Sequence, residues 1–243
     1  MSAAAEPLLA FHGISRAYGR LRALHKVSLD VTRGETIALF GANGAGKSTL
    51  LRVASTLLTP SSGHMEHKGK LLDARSRAGY RNAIGLVGHA SFLYDELSAR
   101  ENLILHARLR GNSDPGLRAD RLLEQVGLSH RRDDRVSHFS RGMEQRLSLA
   151  RALVSSPELL LLDEPFSGLD GSGTETLCQV LQEHRAQGGT TLMVSHDLPL
   201  GLSLADRYVL LSRGEIVRVA PAVPWRDVPP HEIGLQGLAG DCP

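Results

Sequence analysis

Nine consecutive residues, Gly41-Ala42-Asn43-Gly44-Ala45-Gly46-Lys47-Ser48-Thr49, set three glycines, a lysine and two hydroxyls between an apolar run (Thr36-Ile37-Ala38-Leu39-Phe40) and a helical pattern over residues 49–57. Glycines have no Cβ, so successive backbone N–H groups can turn inward, and a helix start adds partial positive charge at the same place. Lys47 at this spacing reaches the outer phosphates of a nucleoside triphosphate, and the Ser48 hydroxyl can ligate Mg²⁺. A glycine-rich turn before an ordinary helix is the bland alternative, and the strand-loop-helix setting argues against it.

A second group lies far downstream. Leu159-Leu160-Leu161-Leu162-Asp163-Glu164-Pro165 places two acids at the carboxyl end of an apolar strand, the end at which open α/β sheets bind ligands. Asp163 is suited to hold Mg²⁺, directly or through water, and Glu164 to act as general base on a water. His196 follows an apolar strand over residues 190–195 and could donate a hydrogen bond to a γ-phosphate, or it could be an ordinary surface histidine among the chain's eleven. In Phe139-Ser140-Arg141-Gly142-Met143-Glu144-Gln145-Arg146, a serine opens a helix beside a glycine. Read alone, Ser140 is an N-cap; the same geometry also makes an anion site. Tyr18 could stack on a base through its π-face or be a strand-edge aromatic.

These groups need a scaffold to meet. Val27, Leu29 and Val31 alternate with polar residues and, with residues 8–11, suggest an antiparallel sheet before the cradle strand. Residues 84–87 read as a strand, and Ser98-Ala99-Arg100-Glu101 has capping-box spacing at the head of a helix reaching about residue 110. A helix over residues 117–126 ends at Gly127, and another opens at Ser140. Strand 159–162, helix 172–187, the Gly188-Gly189 break, strand 190–195 and helix 198–205 then alternate, which implies a largely parallel sheet covered by helices. Residues 208–211 and 216–217 flank Ser212-Arg213-Gly214-Glu215 as a hairpin. The expectation is an α/β fold spanning residues 6–220, a helical block inserted at about 90–156, and a Pro-rich tail at 221–243.

Bulk composition narrows the function. A chain of 243 residues with 42% hydrophobic and 22% charged residues can build a real core. The net charge of +2 gives nucleic-acid binding no support. Cys178 and Cys242 lack metal-ligand spacing and read as incidental thiols. No apolar run approaches the ~20 residues of a membrane span, and the start lacks a signal-peptide pattern. The chain is expected to be soluble and intracellular, with any membrane role supplied by a partner.

In order and spacing, these motifs resemble the nucleotide-binding subunit of ATP-binding cassette (ABC) transporters over residues 8–220. The resemblance implies a P-loop NTPase fold, with residues 41–49 as the Walker A loop and residues 159–164 as the Walker B strand with its catalytic glutamate. Ser140-Arg141-Gly142-Met143-Glu144 stands at the signature position, where Ser-Gly-Gly-Gln is usual. Ser167-Gly168-Leu169-Asp170 matches the D-loop, His196 the switch histidine and Tyr18 the adenine-stacking aromatic. It further implies ATP and Mg²⁺ as ligands and a head-to-tail pair of copies. Ser140 and the Gly142 amide of one copy would touch the γ-phosphate held by Lys47 of the other. ATP would close the pair and hydrolysis reopen it. An integral-membrane permease subunit would hold the pair at the cytoplasmic side of the inner membrane.

Two departures from the family pattern carry more detail. His89, in Leu86-Val87-Gly88-His89-Ala90, stands where the family has a glutamine. With Ala99-Arg100-Glu101-Asn102-Leu103 and the altered signature, it resembles the haem-exporter ATPase of cytochrome c maturation. A histidine there could hydrogen-bond a metal-bound water or a phosphate, and would have to be neutral to ligate Mg²⁺ itself. Tolerated drift at this position is the plainer reading. Export of a lipid, drug or polysaccharide is the alternative within transport. A soluble ABC ATPase acting on ribosomes or DNA is a third, and the two cassettes or long coiled coils typical of that class are not seen.

Overall fold

The computed structural model describes residues 6–223. Along the chain run β1 (Pro7–Tyr18), β2 (Leu21–Thr32), β3 (Thr36–Phe40), α1 (Lys47–Ala54), β4 (Ser62–His67), β5 (Lys70–Leu71), α2 (Arg77–Ala83) and β6 (Ile84–Val87). Three helices follow, α3 (Ala99–Leu109), α4 (Pro115–Gln125) and α5 (Arg141–Leu153). The chain then alternates through β7 (Leu159–Asp163), α6 (Gly171–Ala186), β8 (Thr190–Val194), α7 (Leu198–Leu204), β9 (Arg207–Ser212) and β10 (Glu215–Pro221).

Two sheets result. The smaller, β2-β1-β4-β5, is antiparallel throughout. The larger has the order β10-β9-β3-β8-β7-β6, with every pair parallel except the terminal hairpin β9–β10. The central strands are apolar on both faces because both faces are covered. Ile37, Leu39, Leu159, Leu161, Leu192 and Val194 enter a core shared with α1 and the antiparallel sheet. Their neighbours Ala38, Phe40, Leu160, Leu162 and Met193 enter a second core shared with α3–α6. The two-residue period of a strand thus sorts one sequence run into two cores.

Local chemistry sets the joints. The capping box at α3 forms as expected: Glu101 N–H donates to Ser98 Oγ at 3.2 Å, and Ser98 N–H donates to the Glu101 carboxylate at 2.8 Å. Gly127 adopts φ +67° just past α4. Arg213 and Gly214, at φ +50° and +84°, make the tight turn of the β9–β10 hairpin.

Several expectations need correction. The cradle helix spans Lys47–Ala54, not 49–57, so Lys47 and Ser48 stand in its first turn. The first strand is a 12-residue element ending at Tyr18, far longer than residues 8–11. Strands β4 and β5 and helix α2 had no sequence signal, because β4 (Ser-Gly-His-Met-Glu-His) buries only Met65 and α2 only Tyr80. Strand β10 passes the expected end at residue 220, and Ala222 N–H still donates to Asp206 O at 2.8 Å. The remainder of the expected tail, 224–243, including Cys242, lies outside the described residues. The second hairpin strand, expected at 216–217, spans Glu215–Pro221, and other bounds move by one or two residues.

Candidate nucleoside triphosphate site

Four adjacent parallel strands, β3, β8, β7 and β6, end side by side, and each hands over to one candidate residue or loop. β3 leads to the loop at Gly41, β8 to His196, β7 to Glu164 and β6 to His89. The sheet order therefore assembles in space what the sequence scatters over more than a hundred residues.

The loop is closed by glycine geometry. Gly41 sits at φ +148° with a would-be Cβ 2.3 Å from the Leu211 carbonyl oxygen. Gly46 sits at φ +107° with a would-be Cβ 2.5 Å from the Ala23 carbonyl oxygen. Any side chain at either position would collide with backbone. The hairpin turn braces the loop, since Gly214 N–H donates to Ala45 O at 3.0 Å. Helices α3–α7 all carry a side-chain N-cap, whereas α1 has none and no acid in its first turn. Its first-turn N–H groups thus remain to face an anion.

Lys47 is buried, and its Nζ donates to the carbonyls of Gly41 at 2.6 Å and Ala42 at 3.1 Å. Burial lowers its pKa, and the nearby Glu164 and Asp163 act in the opposite sense. Ser48 Oγ donates to Asp163 Oδ1 at 3.2 Å. Burial holds the Asp163 carboxyl above its usual range, with the Ser48 hydrogen bond opposing.

Glu164 has left-handed backbone, φ +53°, costly for a residue with a Cβ. Its N–H donates to Val194 O at 3.0 Å and its carbonyl accepts from Ser167 N–H at 3.1 Å. His196 Nε2 lies 2.6 Å from Glu164 Oε1. The histidine expected to meet a phosphate thus meets the carboxylate expected to act as base.

These groups line two adjoining clefts. One, of about 390 Å³, takes in Tyr18, Arg22, residues 43–49, His89 and Glu164. The other, of about 350 Å³, takes in His89, Asp163, Glu164, Arg141 and Gln145. His89 and Glu164 belong to both. Tyr18 is 43% exposed with the Arg16 guanidinium 4.9 Å from its ring centre.

Ser140, Gly142 and Asp170 are not brought to the cradle. Ser140 is exposed and caps α5, accepting from Met143 N–H at 3.3 Å. Gly142 packs on the backbone of the next loop, where a Cβ would lie 3.0 Å from Gly168 O. Asp170 caps α6, accepting from Gly173 N–H at 2.7 Å and Ser172 Oγ at 3.1 Å, and these bonds lower its pKa.

Two supporting residues lie within stretches already singled out, but nothing in those stretches told what they touch. Buried Asn102 accepts from Tyr94 N–H at 2.8 Å and donates to Tyr94 O and Ser98 O, both at 3.0 Å, pinning the loop that descends from His89. Gln145 Nε2 donates to Pro165 O at 3.1 Å, tying α5 to the loop after Glu164.

The oxygen set suits a hard divalent cation. The Ser48 hydroxyl and Asp163 carboxylate stand side by side, and a half-buried carboxylate whose direct partner is a neutral hydroxyl favours a cation beside it. His89 is exposed and lines the rim beside Asp163 and Glu164.

Comparison with known proteins agrees with this geometry. Residues 24–167 match the family model described as ABC transporter. The chain is 39% identical over 220 residues to the lipoprotein-releasing system ATP-binding protein LolD of Myxococcus xanthus, covering 86% of this chain and 98% of that protein. It is 35% identical over 212 residues to the high-affinity branched-chain amino acid transport ATP-binding protein BraG of Pseudomonas aeruginosa, covering 86% and 91%. Among solved structures, an ATP-binding subunit of an ABC transporter superposes with a TM-score of 0.82 at 32% identity, covering 95% of each chain. A dimeric ATP-binding cassette in a post-hydrolysis state, bound to ADP and Pi, gives 0.82 at 26% identity, covering 89% of this chain and all of that one. The matching motifs, sheet order and cradle together make this chain a member of the ABC transporter family, an ATP-binding subunit that hydrolyses ATP.

Proposed function

We propose that two copies of this chain pair head to tail, each supplying half of two ATP sites, and that hydrolysis drives an integral-membrane partner at the cytoplasmic side of the inner membrane. The observation that carries this reading is the position of Ser140. Its hydroxyl and the Gly142 backbone stand exposed or part-exposed at a helix start, outside both clefts that hold the cradle and the acids. A second copy facing the cradle would bring that corner to the γ-phosphate.

Within one half, each residue has a task. The cradle amides and Lys47 bind and orient the phosphates, Lys47 exchanging its carbonyl partners for phosphate oxygens. Tyr18 offers a ring to the base. Glu164 accepts a proton from the attacking water while His196 fixes its carboxylate. The water oxygen bonds to the γ-phosphorus, the bond to the bridging oxygen breaks, and ADP leaves with its electron pair. Ser48 and Asp163 would hold Mg²⁺, with His89 at its rim, and the ion would neutralise charge on the outer phosphates. Asp170 sets the loop beside Ser140 rather than touching nucleotide in its own copy. In this reading residues 6–220 form the nucleotide-binding domain, with 90–156 its helical subdomain.

For the cargo we propose the haem exporter of c-type cytochrome biogenesis. His89 at the glutamine position and Ser140-Arg141-Gly142-Met143 in the signature support it. The test is which integral-membrane proteins co-purify with the chain, together with the cytochrome content of a deletion strain. Small haem-handling partners and lost c-type cytochromes are expected. Normal cytochromes with a lipid or drug permease attached would replace this cargo with the alternative export role.

A further inference from the structure

Away from the nucleotide site, the antiparallel sheet carries a second constellation able to do chemistry. His12 on β1 and His64 on β4 are direct cross-strand partners, and Glu66 lies two residues along the same face of β4. The intervening residues Phe11 and Met65 point the other way, into the core, so the pleat commits His12, His64 and Glu66 to the outer face together. Their rings stack with centroids 4.8 Å apart and planes at 26°. His12 Nε2 stands 3.5 Å from Glu66 Oε2, and His64 Nε2 stands 3.5 Å from Glu66 Oε1. Although the His12 side chain is 42% exposed, its Nε2 atom is buried and makes no hydrogen bond.

We propose that His12, His64 and Glu66 form a site for a first-row transition cation, Zn²⁺ being the best fit. All three ligand atoms lie within 4.8 Å of one another. Tetrahedral Zn²⁺ with bonds of about 2.0–2.1 Å separates its ligand atoms by about 3.3 Å, so the three exposed or half-exposed side chains would draw together by rotamer adjustment to close on it. Two imidazoles with one carboxylate select a borderline ion over Mg²⁺, which demands oxygen ligands, so this site would not compete for the nucleotide's metal. A cation here gives the His12 Nε2 lone pair the close contact that no hydrogen bond supplies, and leaves one position open to water. The mechanical consequence is local. The β1–β4 register is regular up to His12 and shifts before Ser15, with Gly63 packed so closely that a Cβ would lie 2.4 Å from Gly13 O. A cation would clip the last regular rung before β1 bends away toward Tyr18.

The test is titration of the tag-free chain with zinc sulfate against a chromophoric chelator, without nucleotide and with Mg²⁺ in large excess. Wild type is expected to take up one equivalent that the His12→Gln/His64→Gln double variant does not, and Glu66→Gln should weaken uptake at least about tenfold. All three side chains are partly exposed, so the variants should keep the wild-type circular dichroism spectrum and zinc-free melting temperature. On the wild type itself, stoichiometric Zn²⁺ should perturb the imidazole NMR signals of His12 and His64 before those of other histidines. Equal uptake by wild type and double variant, no uptake by wild type, or first perturbation at other histidines would each overturn the assignment.

Discussion

The corner at Gly41 and the corner at Ser140 are both helix starts, yet they differ in how their first-turn N–H groups are satisfied. At α1 no side chain caps the helix, the loop glycines sit where a Cβ would strike backbone, and the nearby acids are half-buried. At α5 the helix is capped by Ser140 itself, and the corner leans on the loop after Glu164 through an Arg141–Ser167 hydrogen bond of 3.1 Å. The first corner is organised around a ligand that must come from outside. The second is stable as it stands and has a hydroxyl at the surface. On the proposed head-to-tail pairing, this difference means that one copy is expected to bind nucleotide and that turnover is expected to need two.

The comparison can be broken most directly at Glu164. Glu164→Gln should lower kcat by about 10²–10⁴-fold while ATP still binds, and size-exclusion chromatography with ATP should show a lasting dimer. Undiminished hydrolysis would remove the base role. Next, Lys47→Ala deletes a charge-assisted contact worth about 1.5–3 kcal/mol, so ATP affinity should fall by about 10–150-fold by equilibrium dialysis, even in dilute single copies.

Ser140→Ala should separate the two corners. It should leave the ATP affinity of single copies unchanged, depress concentration-dependent turnover, and cost about 1 kcal/mol of stability in urea unfolding through the lost cap. A matching loss of single-copy affinity would place Ser140 at its own cradle and end the comparison. The smallest effect is expected for His89→Gln. His89 is exposed on the cleft rim, so ATPase activity should stay within about twofold, equivalent to roughly 0.4 kcal/mol. A large loss would give His89 a dedicated part in the reaction.

Much of the cradle was legible because its chemistry is local. Lysine, hydroxyl and glycine spacing, the apolar run before Asp163 and the capping box at Ser98 are each written within a dozen residues, and each stands in the fold as read. The long-range contacts of other residues left no such trace. Asn102 secures the loop below His89, Gly214 props the cradle, and Arg22 reaches the cleft only because β2 folds back beside β1. Strand β4 has no alternating apolar pattern, because it is polar and buries a single residue.

By itself, then, the sequence determined the glycine, lysine and hydroxyl spacing of the cradle that points to ATP, and the alternation that builds a parallel sheet, since these depend on neighbours along the chain. Tertiary structure alone decided that His196 pairs with Glu164, that Glu164 is held in left-handed backbone between β8 and its own loop, and that Ser140 stands outside its own cradle. It also brought His12 opposite His64. Those relations follow from strand order and cross-strand register, which are set by packing between segments far apart in sequence and therefore have no local signature.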